Sequence, residues 1–456
     1  MAKLWEKDYG LHALIEKYTV GEDWKLDQKL LIADCLAGIA HAGMLREIGI
    51  LQDQEYQDLE QELRKIIVAV EEGELSLQPS DEDGHTVIET ILVQNLGETG
   101  KKIHTGRSRN DQVLAALRLY GREAVYQIGE AGLALCEAFS RLAAEHEKTP
   151  MPGRTHMQIA MPSSVGLWAA AFAEEICDDL YHLLRVAEHV DQSPLGSAAS
   201  YGVPLSLDRE MVAEALGFEH LQRNVLYVNN SRGKFESLIL EALDQMMLSL
   251  SKAATDLMIF SMPEFGYFHL PKELCSGSSI MPQKRNPDML ELIRAKSGTL
   301  SAYTHQVKQV IRSLPSGYNR DFQETKEPFL RGLSLTYDSL RVMELTVGSL
   351  EVDRDRLRKA MPREIFATDA ALDLVRQGES FREAYRRIGL HPEEVPMMNA
   401  EELLSRRSST GAPGNLRLDL VEEDVSKLRT TLAERRAKND RRLWALAGRE
   451  INAAEL

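Results

Sequence analysis

Twelve consecutive residues, Gly277-Ser278-Ser279-Ile280-Met281-Pro282-Gln283-Lys284-Arg285-Asn286-Pro287-Asp288, concentrate hydroxyls, side-chain amides and two cations between a glycine and two prolines. Gly277 and the serines permit a backbone that can close over a ligand, while Pro282 and Pro287 stiffen the return path. A helical pattern follows, Met289-Leu290-Glu291-Leu292-Ile293-Arg294, with Asp288 expected as its cap. Lys284, Arg285 and the free N–H groups of that helix start make a trap for an anion. A second run, His104-Thr105-Gly106-Arg107-Ser108-Arg109-Asn110-Asp111-Gln112, sets a hydroxyl, two arginines and an amide before a long helical stretch. The planar fork of arginine suits carboxylates, and Ser108 and Asn110 add directional hydrogen bonds. A polar helix cap explains Ser108 and Asp111, but not two arginines with an asparagine.

These residues need long, stiff elements to hold them. Apolar periodicity predicts helices from Val113 to about Glu147, from Ile159 to Val190, from Ser231 to Met262, from the loop to about Ser313, and on to about Val352. Five such helices carry more apolar surface than one domain core needs, which predicts a bundle that associates with copies of itself. Shorter helices are expected at 26–51, 52–72 and 82–91, and the charged remainder beyond 352 is also helical. His85, near a helix start, reads by itself as a capped or solvated histidine. Asn95-Leu96-Gly97-Glu98-Thr99-Gly100-Lys101-Lys102 fails as a phosphate-binding loop on its glycine spacing.

The chain has 456 residues, 43% hydrophobic and 27% charged, as in a soluble globular protein of two or three domains. A net charge of −16 argues against nucleic-acid and acidic-membrane partners, so positive groups for an anionic substrate must be gathered locally. Cys35, Cys136, Cys177 and Cys275 form no CxxC pair and read as free thiols. The first residues lack a signal-peptide apolar core and no run approaches ~18 apolar residues, so a cytoplasmic location is expected.

The 277–288 run resembles the signature loop of the fumarase/aspartase superfamily, G-S-S-x-M-P-x-K-x-N-P, at every fixed position. The His104–Gln112 run is similar, residue for residue, to H-T-G-R-S-R-N-D-Q of the argininosuccinate lyases, where sister lyases carry a different sequence. Thr155-His156-Met157-Gln158, on a turn framed by proline and glycine, resembles the superfamily's T-H-x-Q segment. Tyr318-Asn319-Arg320-Asp321-Phe322-Gln323-Glu324-Thr325-Lys326 resembles the Y-N-R-D-x-Q-x-x-K run of the same lyases.

The resemblance implies an all-α, three-domain fold, here 1–106, 107–352 and 353–456, whose central helices form one bundle in a homotetramer. It implies active sites shared between three subunits, no metal and no organic cofactor. The implied reaction splits a C–N bond of argininosuccinate into arginine and fumarate through a carbanion, as in arginine biosynthesis. By carry-over Ser278 is the base, held as an alkoxide-like group by Lys284 and loop amides, and Lys284 and Asn286 stabilise the intermediate. His156 is the leading acid, oriented by Glu291, with His85 and Thr155 in reserve. Ser108, Arg109, Asn110 and Arg320 would hold carboxylates, and Tyr318, Gln323 and Lys326 the arginine end.

Arg285 leans towards a sister lyase, since K-R-N-P also occurs in adenylosuccinate lyases, and a non-catalytic copy of the scaffold is the rival of another class. The front of the chain departs from the pattern. Trp5-Glu6-Lys7-Asp8 stands where many of these lyases have W-G-G-R-F, and Val20–Asp27 stands where they have F-N-x-S-I-x-x-D. Asp23 thereby replaces a substrate-touching serine and Gly21 an asparagine. An aspartate suits a cationic group and repels a carboxylate.

Overall fold

The computed structural model describes residues 12–78 and 80–451; the Trp5–Asp8 run lies outside the described residues. Five long helices make the body: Arg109–Glu145, Val165–Val190, Lys234–Ser261, Asp288–Ile311 and Lys326–Gly348. The 109–145 helix packs on the 165–190 and 326–348 helices, and the 234–261 helix on the 165–190, 288–311 and 326–348 helices. The architecture is the all-α bundle that the periodicity predicts. Leu418–Ala447 returns along the 109–145 and 165–190 helices, and its Val421, Val425, Leu428 and Leu432 join the main core. A second, smaller core gathers Met361, Ile365, Phe366, Ala384, Ile388 and Leu403.

The Leu31–Glu47 helix is buried on every side from Leu31 to Leu45. Ala33, Ala37, Gly38, Ala40, Ala42 and Gly43 keep it thin enough for helices 53–71, 84–96 and 109–145 to close around it. The helix expected over 26–51 is split in front of this segment into the short Asp23–Asp27 helix and one 3-10 turn, Gln28–Leu30.

Two local expectations give way. Residues from Ile159 do not continue as helix: Pro150–Thr155 and Gln158–Ser164 pair as an antiparallel hairpin. Pro150, Pro152 and Pro162 have no N–H for a helical ladder, and the helix starts only at Val165, where Ser164 accepts the Leu167 N–H at 3.0 Å. Asp288 is not the cap of its helix. Pro287 takes that position without a side-chain bond, and Asp288 sits inside the first turn, where its charge favours the helix dipole.

The connectivity decides what each end of the bundle carries. The 109–145 helix has 37 residues, so its ends stand about 55 Å apart at ~1.5 Å per residue. Its start, together with the starts of the 234–261 and 326–348 helices, lies at one end. The hairpin after Glu145 and the loop after Ser261 lie at the other, where the Arg154 guanidinium stacks 4.9 Å from the Phe265 ring. Among the described residues no helix is long and apolar enough to cross a membrane.

Candidate active site

The first end of the bundle encloses a cavity of about 540 Å³, within the usual range for small-molecule sites. His85, Ser108, Arg109, Asn110, Tyr318, Arg320, Gln323 and Lys326 all line it. Ser108 serves two ends. It caps the 109–145 helix by accepting the Asn110 N–H at 3.3 Å, and its own N–H is held by Asp111 at 2.8 Å. The other Asp111 oxygen accepts the Ala198 N–H at 2.8 Å, so the 193–199 loop is tied to the turn that presents Ser108 to Asn110. Burial pushes the Asp111 carboxyl up to about 6 against these bonds.

The charges of the cavity are mostly paired within the chain. The Arg109 guanidinium reaches Asp83 at 3.0 Å, Glu82 at 3.3 Å and the Thr86 hydroxyl at 2.9 Å. Lys326, buried, holds Asp27 at 2.6 Å and Asp23 at 2.9 Å. Burial opposes the Lys326 charge, but the two aspartates outweigh it and raise its pKa. Burial likewise raises Asp23, against the attraction of Lys326. Asp23 is therefore joined to the lysine that the resemblance assigns to the arginine end. Gln323 donates to the Thr19 carbonyl at 3.2 Å and Arg320 to the same oxygen at 2.7 Å, which fastens the 13–20 helix over the cavity.

His85 is neither a cap nor solvated. Asp83 caps that helix, and the His85 Nδ1 lies 2.5 Å from Asp34. Burial disfavours its charge, yet Asp34, with Asp83 and Asp27 behind it, raises its pKa above the ordinary histidine value. His104 goes the other way: burial first, then Arg107 and Arg109, bring it down to about 4.

The other assigned residues stand elsewhere. Ser276 and Asn286 exchange backbone hydrogen bonds at 3.0 and 2.9 Å, which closes the signature loop at its base. Inside it, the Ser278 Oγ accepts the N–H groups of Met281 at 3.1 Å and Ile280 at 3.4 Å. The Asn286 amide donates to the Gly277 carbonyl at 3.3 Å. Lys284 and Glu291 are exposed. Thr155 and His156 are exposed at the hairpin tip, where Thr155 pairs with Gln158 and the two turn residues have φ of 54° at His156 and 64° at Met157. Both residues lack the glycine or asparagine that such a turn favours, so the tip is held under strain. Neither the loop nor the hairpin contributes to the cavity lining.

One chain thus brings together the residues assigned to hold substrate, and keeps Ser278, Lys284, Asn286 and Glu291, and separately Thr155 and His156, away from them. Asp27, Glu82, Asp83, His104 and Arg232 also line the cavity without having been singled out in the sequence. Asp27 had a signal, since it closes the F-N-x-S-I-x-x-D pattern; Arg232 stood in a run read only as a helix start.

The profile of the family described as Lyase matches residues 16–301, more than half of the chain. The argininosuccinate lyase of Sorangium cellulosum is 45% identical over 91% of this chain and 97% of its own length. That of Thermotoga neapolitana is 42% identical over 85% and 97%. The crystal structure of an EDDS lyase in complex with formate superimposes with a TM-score of 0.81 at 22% identity, covering 96% of this chain and 95% of that one, and so speaks for the fold alone. With relatives above 40% identity along nearly their whole length, the chain belongs to the argininosuccinate lyase family and is an enzyme of the lyase class.

Proposed function

We propose that the chain splits argininosuccinate into arginine and fumarate by an anti β-elimination through a carbanion. The observation that carries this reading is the meeting of the 104–112 and 318–326 runs, distant in sequence, around one cavity. Argininosuccinate offers three carboxylates, an ammonium and a guanidinium, and those two runs supply arginines, amides and hydroxyls to match. Ser108, Arg109, Asn110 and Arg320 hold carboxylates; Tyr318, Gln323 and Lys326 face the arginine end.

Ser278 takes the proton from the carbon beta to the leaving nitrogen. A neutral serine is too weak for this, and the two loop amides on its Oγ, with Lys284, favour the alkoxide it must become. The electron pair moves onto the adjacent carboxylate, where Lys284 and Asn286 meet the charge. The C–N bond then breaks, and His156, oriented by Glu291, protonates the guanidino nitrogen. His85, with its proton favoured by Asp34, and Thr155 are the alternative donors.

This chemistry requires other copies of the chain to bring a loop and a hairpin to each cavity, hence a homotetramer with sites shared between three subunits. The surface supports that. The 288–311 helix buries only Leu290, Ile293, Ser297, Leu300, Thr304 and Val307, alternating steps of three and four, and leaves Leu292 57% exposed. Leu248 and Leu345 on neighbouring helices are 54% and 52% exposed, apolar area that further helices would cover. The division into 1–106, 107–352 and 353–456, and a cytoplasmic location, belong to the same reading. Purified protein mixed with argininosuccinate is expected to release fumarate, followed by its ultraviolet absorbance, while adenylosuccinate, aspartate and malate at equal concentration give none. No fumarate from argininosuccinate would overturn the reading.

A further inference from the structure

The cavity holds one buried cation that has no direct carboxylate partner among the described residues. Arg232 is 4% exposed and lines the cavity, yet its guanidinium makes no ion pair or hydrogen bond among the described residues, and its Nε is buried without a partner. Two ring faces lie beside it, Tyr318 at 5.7 Å and Phe322 at 5.6 Å from its central carbon. A buried charge left in this state is costly, and it is retained where a ligand completes it. Its position is fixed. The Arg232 N–H is bound by the Asn229 carbonyl at 3.1 Å, and Gly233 follows at φ 76°, where a Cβ would meet Ile311 at 2.4 Å. Ser231, just before, is locked by Arg118 at 3.0 Å and Gln222 at 2.9 Å.

Lys326 differs, because Asp23 and Asp27 of the same chain already meet its charge. Arg109 is likewise engaged by Glu82 and Asp83. Burial disfavours the Arg232 charge, while Tyr318, Glu236, Asp23 and Asp27 favour it from beyond ion-pair distance, so its surroundings combine a guanidinium free of direct pairing with nearby carboxylates. A succinyl dianion would be repelled there. The matching group carries one carboxylate and one ammonium on the same carbon.

We infer that Arg232 binds the α-carboxylate of the substrate's arginine end and that Asp23 receives its α-ammonium. The identity of the ligand rests on the function proposed above; the chemistry of an α-amino-acid head does not. Aspartate in place of serine at position 23 then becomes the counterpart of Arg232, and the two residues make one recognition unit.

Equilibrium titration of the full-length protein with L-arginine and with agmatine, the same molecule without its carboxylate, tests this directly. The wild type should prefer L-arginine by on the order of 10–100-fold, the range of one charge-assisted pair. Arg232→Gln should bring the ratio close to one, and Arg232→Lys should keep part of it. Asp23→Asn should weaken both ligands and leave the ratio standing. The ratio within one preparation does not depend on the folded fraction, so a poorly folding variant still gives an answer. A wild type that binds neither ligand or does not distinguish them, or an Arg232→Gln protein that keeps the wild-type ratio, overturns the inference; unchanged affinities in Asp23→Asn overturn its ammonium half. Absence of fumarate release alongside an intact preference for L-arginine would instead count against the proposed reaction alone.

Discussion

The two ends of the bundle are built on opposite principles. At the cavity end, Lys326 lies between two aspartates, Arg109 between Glu82 and Asp83, and His85 against Asp34, all within one chain. At the loop and hairpin end, Lys284, Glu291 and His156 are exposed, and Ser278 is held by two backbone amides. The first end is organised before any substrate arrives. The second carries exposed polar groups on a loop and a hairpin tip that lie outside the cavity lining. On the proposed reading, recognition comes from one chain and chemistry from the loop and hairpin that other copies bring to it.

The largest effect should come from the exposed end and leave folding untouched. Ser278→Ala is expected to lower kcat by on the order of 10²–10⁴-fold, the usual worth of a positioned base, with an unchanged melting temperature. Near-normal fumarate release from that variant would remove Ser278 as the base. Lys326→Met should do the reverse. It strands the buried Asp27 and the partly buried Asp23 without their cation, and denaturant unfolding should register a loss of about 3–5 kcal/mol, whereas Lys284→Met should stay within ~0.5 kcal/mol. Equal losses for the two lysines would erase the contrast between the ends.

A smaller effect concerns pH. Because the folded pKa of His85 is raised, the folded protein holds this proton more tightly than the unfolded chain. The resulting stabilisation is present in full below about 6.5, the ordinary histidine value, and is lost as pH rises through the folded value. Unfolding measured across that window should show a decline in the wild type that His85→Gln flattens; parallel profiles would show that His85 is not the group involved. The smallest change is at the hairpin tip. Met157→Gly removes one strained left-handed residue and should stabilise by about 0.5–1 kcal/mol, read as a small rise in melting temperature.

The bundle was legible in the sequence because its helices are long and their apolar period is regular. The hairpin was not. The proline- and glycine-framed turn could be read in place, but the strands beside it are short and the turn pair, His156-Met157, has neither glycine nor asparagine, so nothing local announces their pairing. The candidate site divides in the same way. The 104–112 and 318–326 runs are contiguous clusters of chemistry and could be recognised in place. The Asp23–Lys326 and Asp27–Lys326 pairs join residues some three hundred positions apart, and Arg232 stands out only because its guanidinium has no ion pair or hydrogen bond among the described residues, which no linear pattern displays. Asp23 was visible as a departure from the family pattern and Lys326 as part of its run, but their pairing was not.

The claim that binding and chemistry come from different copies of the chain is tested most directly by mixing two impaired variants. Ser278→Ala damages the loop end, and Asn110→Asp sets a repelling charge at the cavity end. Unfolded together and refolded, they should release fumarate well above either protein alone, because some cavities receive an intact loop and an intact turn from different copies. Mixed oligomers that form but stay at the level of the separate variants would contradict the account.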